Sequence, residues 1–78
     1  MMIHHPKLHL GEAIDVLANL GVPDNMIKHS LRQVVLEGGE VELTVMRHKQ
    51  PQTERTVCLV KYDRNLFDIV CPQKELLN

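Results

Sequence analysis

Large aromatic anchors are almost missing from this chain, which has one Tyr, one Phe and no Trp in 78 residues. Its core must be assembled from aliphatic side chains, with Tyr62 and Phe67 as the two biggest pieces. No apolar run approaches the ~18 residues that a membrane-crossing helix needs. No basic segment leads into an apolar stretch as a secretory leader would. These absences lead us to expect a cytoplasmic protein with no membrane partner. Nor is there a basic excess: nine Lys plus Arg stand against ten Asp plus Glu, for a formal net charge of −1. The phosphate-neutralising surplus of a nonspecific nucleic-acid binder is therefore lacking.

Cysteine is scarce as well. Cys58 and Cys71 are too few for a disulfide framework, and their spacing matches no zinc or redox motif. Two thiols in a reducing compartment are expected, packed as small hydrophobes. Catalytic constellations are thin. Ser30 is the one Ser, and it falls on the inner side of a helix. Glu12 with Asp15, and Glu40 with Glu42, read as solvated pairs. Gly38-Gly39 follows a helix, whereas a phosphate-binding loop precedes one. His4, His5 and His9 cluster near the N-terminus, with His29 and His48 elsewhere. Adjacent His on an arm lack the convergent, braced geometry of a metal centre. The expectation is no enzyme, no cofactor and no native metal site.

What remains is the material of one small domain. The apolar fraction is 44% and the charged fraction 24%, ordinary for a folded protein. At this length only about 60–65% of the unfolded surface is buried, so the stability margin is narrow. Residues 1–9 form an arm that Pro6 keeps from being helical, with Ile3 and Leu8 available to dock as an edge strand. Residues 10–20 carry Leu10, Ala13, Ile14, Leu17 and Leu20 at helical spacing, ending at Gly21. Residues 23–37 repeat the pattern. Pro23 and Asp24 open this second helix, Ile27, Ser30, Leu31, Val34 and Val35 form its inner stripe, and Gly38-Gly39 stops it. From Glu40 the period becomes two, with Val41, Leu43 and Val45 on one side. A polar loop over residues 49–54 separates this strand from Thr56–Tyr62, and Phe67–Cys71 completes the set. The tail, residues 72–78, has room for one helical turn. The fold class is α+β: an N-terminal two-helix hairpin at 10–37 on a three-stranded antiparallel β-meander at 40–71, in the order ααβββ.

Register in the last hairpin decides what the sheet exposes. Placing Cys58 opposite Cys71, Val60 opposite Ile69 and Tyr62 opposite Phe67 makes one face wholly apolar. A three-residue turn with Asn65 left-handed would instead set Lys61 beside Phe67 and Ile69, at a desolvation cost. The apolar register is therefore expected. It leaves Val57, Leu59 and Val70, with Met46 and a Lys61–Asp68 pair, on the second face. Two helices cannot cover both faces, so either the arm and tail do so or this face is a contact surface.

Ala18-Asn19-Leu20-Gly21-Val22, with Ile27 and Leu31 beyond, resembles the corner of a helix-turn-helix. That resemblance implies a DNA-reading second helix with Asn25, Lys28, His29 and Arg32 in the major groove. A helical hairpin with a solvated outer face explains the same residues more simply. The functional expectation is a small non-catalytic interaction module, an adaptor, regulator or inhibitor that binds another protein as a homodimer. Val57, Leu59 and Val70 would self-associate, and Asn25, Lys28, His29 and Arg32 would meet the partner. The alternative is a sequence-specific DNA-binding regulator.

Overall fold

A computed structural model of the chain describes residues 3–49, 51–71 and 75–77. It is α+β, with β1 (Ile3–Leu8), α1 (Leu10–Asn19), α2 (Asp24–Glu37), β2 (Glu40–Lys49), β3 (Gln52–Asp63), β4 (Leu66–Cys71) and β5 (Glu75–Leu77). The four longer strands form one antiparallel sheet in the order β1-β4-β3-β2, and β5 pairs with β3 at Thr53–Arg55.

Three expectations need correction. The sheet has a strand before the helices, because the arm pairs with β4, setting Ile3 opposite Cys71 and Leu8 opposite Phe67. Pro6 and Lys7 sit where that register shifts, and Lys7 takes a left-handed φ of 54°. Its backbone N–H donates to Asp68 Oδ1 at 2.8 Å, so the break in the ladder keeps a partner. The tail residues 75–77 are extended and paired, because β3 outruns β4 and offers free ladder positions beside them. The rest of the tail lies outside the described residues. The expected loop at 49–54 is also mostly strand: pairing runs unbroken from Glu40↔Lys61 to Lys49↔Gln52.

The favoured hairpin register is present, with Val60 opposite Ile69 and Tyr62 opposite Phe67. Its turn is two residues, Arg64 and Asn65, both left-handed at φ 52° and 67°. That doubly positive turn follows the twist of the flanking strands and keeps the apolar set on one face. Tyr62 Oη donates to Asn65 Oδ1 at 2.9 Å, and the Tyr62 and Phe67 rings lie 5.0 Å apart at a tilt of 50°. Lys61 lies opposite Asp68 as expected. Lys61 Nζ lies 3.3 Å from Glu40 Oε2 across β2, and Asp68 is taken by Lys7.

Both helices lie on the face carrying Leu43, Val45, Val60 and Ile69, and Ala13, Leu17, Ile27 and Val34 close the core from above. At the start of α1 the His9 backbone N–H donates to Glu12 Oε1 at 3.0 Å. The helix ends in a Schellman motif: Val22 N–H donates to Leu17 O at 3.1 Å and Gly21 N–H to Ala18 O at 3.0 Å. Gly21 has φ +96°, a conformation that favours glycine, and a Cβ there would lie 3.1 Å from Arg47 Nε, so the guanidinium would have to shift by a few tenths of an ångström. Arg47 reaches across from β2 and donates from Nη2 to Asn19 O at 3.2 Å, tying the helical corner to the sheet.

Candidate interaction surfaces

The apolar arc of α2 is wider than the sheet can cover. Val34, Val35 and Leu36 are consecutive, and successive helical residues point about 100° apart. Val34 is buried, whereas Val35 is 43% and Leu36 76% exposed. Val35 was expected on the inner stripe; it faces outward because Ile27, Ser30, Leu31 and Val34 already fill the contact with the sheet. Leu10 likewise departs from the expected inner stripe of α1 and is 55% exposed, since it opens the helix at the rim of the layer. These side chains meet Ile14 and Leu31 in a groove of about 460 Å³ between the helices. Lys28 and Arg32 stand at its edge.

The four residues expected to form one polar stripe line adjoining grooves. Lys28 and Arg32 border the helix–helix groove, Asn25 and His29 line a second groove of about 570 Å³ between α2 and β2, beside Met26 and Val41, and His29 and Arg32 share a third, shallower one beside Gln33. All four are exposed. Lys28 Nζ is held 3.2 Å from Asp24 Oδ2 one turn earlier, an exposed pair of small energetic weight.

The second sheet face carries Val57, Leu59 and Val70, half-buried among their neighbours, with Met46 44% exposed. Leu59 lies opposite Val70 on one side and Glu42 on the other. β1 and β5 join this sheet edge to edge, so they widen it.

Reactive groups are sequestered or dispersed. Cys58 and Cys71 are buried free thiols sharing a hydrogen bond, Sγ to Sγ 3.0 Å. Burial, then the hydrogen bond with Cys71 and the charge on that neighbour, pushes the Cys58 thiol up to about 12. Ser30 Oγ donates to Met26 O at 2.6 Å and is buried. His4 and His5 sit opposite Val70 and Ile69, on alternate faces of β1, and His9 precedes α1. Among the described residues no three His, Cys, Asp or Glu side chains converge. No helix of the described residues is long and apolar enough to cross a membrane.

Comparison with known proteins returns no match from family models, curated proteins or solved structures.

The exposed groove was missed in the sequence, although its signal is there. A run of Val34-Val35-Leu36 cannot lie on one helical face, and its overflow has to face solvent or a partner.

Proposed function

We propose that this protein is a small non-catalytic module that works by binding another protein, as an adaptor, regulator or inhibitor, and that it does so as a homodimer. The observation that carries this reading is the apolar groove between α1 and α2, walled by Leu10, Val35 and Leu36 and bordered by Lys28 and Arg32. Exposed leucines and valine lining one concave strip suit the apolar anchors of a partner helix or turn. Two cations on the border favour acidic residues flanking those anchors. The thiols and the hydroxyl, the groups best suited to nucleophilic work, are buried and engaged with neighbours, which favours binding over catalysis.

The test is capture from the native host with Leu36→Asp and Arg32→Glu beside the unaltered protein. A specific partner should be retained by the unaltered chain, lost with Leu36→Asp and weakened with Arg32→Glu. A partner retained equally by all three would move the binding site elsewhere. Binding to DNA would show differently: retention falling steeply with salt and abolished by Lys28→Glu. Salt-sensitive retention of that kind, with Leu36→Asp unaffected, would replace the protein-binding reading with the nucleic-acid one.

A further inference from the structure

We infer that Cys58 and Cys71 are a redox pair that closes into a disulfide across β3 and β4 when the chain meets a small disulfide oxidant such as oxidised glutathione, whatever partner the protein binds. The chain has two cysteines, and the fold sets both on one rung of the sheet. Leu59 lies opposite Val70, so the next rung brings Cys58 to Cys71. Their Sγ atoms are 3.0 Å apart, about 1 Å longer than a disulfide bond.

The rung is also of the right kind. Counting from the two-residue turn, Asp63–Leu66, Lys61–Asp68 and Leu59–Val70 are hydrogen-bonded pairs. Tyr62–Phe67 and Val60–Ile69 are the non-hydrogen-bonded pairs between them, and Cys58–Cys71 continues that second set. Such rungs bring Cα atoms to about 4.5 Å and hold their side chains closest, within the roughly 4.4–6.8 Å that a disulfide spans. Two side-chain rotations therefore suffice, and neither strand has to move. The bond would tie β3 to the strand that receives β1, since Cys71 lies opposite Ile3.

The chemistry is thiol–disulfide exchange. The first sulfur to be reached attacks one sulfur of oxidised glutathione. A protein–glutathione bond forms, the glutathione S–S bond breaks, and one glutathione leaves with the proton of the attacking thiol. The second cysteine then attacks the protein sulfur of that mixed disulfide and releases a second glutathione with its own proton. Two thiols are oxidised and one glutathione disulfide is reduced. With the second thiol already in contact, the mixed disulfide should not accumulate. Burial makes closure conditional: the two residues are 0% and 1% exposed, so exchange begins while the core is open.

The experiment refolds the reduced full chain from urea into glutathione buffers of graded redox ratio, and reads mass, non-reducing electrophoresis and Tm. The product should be a single chain lighter by two hydrogens, with one bond mapped between Cys58 and Cys71. Its equilibrium constant for oxidation should be roughly 100-fold larger in buffer than in urea, because folding has already ordered the short loop that the bond closes. Tm should rise by at least ~10 °C and fall back when dithiothreitol restores the thiols. Cys71→Ala should lose both the mass change and the Tm response. Glutathione adducts or chain-to-chain disulfides as the main product, an equilibrium constant equal in buffer and urea, or a bond that lowers Tm would each overturn the pair.

Discussion

The buried thiol pair should make this protein lose stability in alkali through one side chain. Cys58 is fully buried, and its thiol is pushed from 9.0 up to about 12, first by burial and then by its shared hydrogen bond and charge coupling with Cys71. The folded value lies above the unfolded one, so the contribution is complete below pH 9 and drains away as pH rises towards 12. In that window the unfolded chain can shed the Cys58 proton and the folded one cannot. The slope is at most roughly 1.4 kcal/mol per pH unit, which over such a window is on the order of a few kcal/mol, a large share of what a domain this size possesses. Urea denaturation between about pH 8 and pH 11, on the unaltered chain and on Cys58→Ala, isolates the effect. Cys58→Ala should be less stable at the lower pH for want of packing, yet should fall more gently in alkali. Thiol labelling supplies a second measure. The same rise lowers the Cys58 thiolate share at neutral pH, so native Cys58 should label far more slowly than in denaturant. Parallel alkaline slopes in the two proteins, or equal labelling rates with and without denaturant, would refute the reasoning.

Other substitutions probe the packing and the turns. Leu17→Ala empties a fully buried site facing the sheet and should cost about 2–5 kcal/mol in urea denaturation. Gly21→Ala meets both the left-handed φ and the Arg47 guanidinium, and should cost at least ~1 kcal/mol, with part of the loss recovered in an Arg47→Ala background. Arg64→Asn keeps the left-handed turn with a residue better suited to it. It should raise stability by up to about 1 kcal/mol, seen as a Tm increase of a few degrees.

Local pattern carried much of this fold. The α2 boundaries followed from Pro23, Asp24 and Gly38-Gly39, because caps are short-range chemistry. The β3–β4 register followed from refusing Lys61 a place beside Phe67, a comparison made entirely within one hairpin. β1 was harder to read. Ile3 and Leu8 flag an apolar segment, but the strand that receives it is β4, far along the chain, and no local period announces such a partner. The continuation of β2 and β3 into the expected loop was hidden for a similar reason: Lys49, Gln52, Thr53 and Glu54 look like loop residues until the cross-strand ladder gives their backbones partners. In the candidate site, exposure of Asn25, Lys28, His29 and Arg32 was legible from helical spacing. Which groove each one lines was not, since that depends on how far α2 sits from α1 and from β2.

The pairing of β1 with β4 has a consequence for how the chain reaches its folded state. The Lys7–Asp68 hydrogen bond spans 61 residues, whereas the α1–α2 corner and the β2–β3 and β3–β4 hairpins each close over short loops. Closing so long a loop before its contacts are rewarded is slow. The helices and the three later strands should therefore assemble first, and the opening strand should dock last, as a late zipper along an edge already made. Until it does, β4 is itself a bare margin, so any slowing of that final step would widen the interval in which unfinished molecules can join one another by the wrong strand.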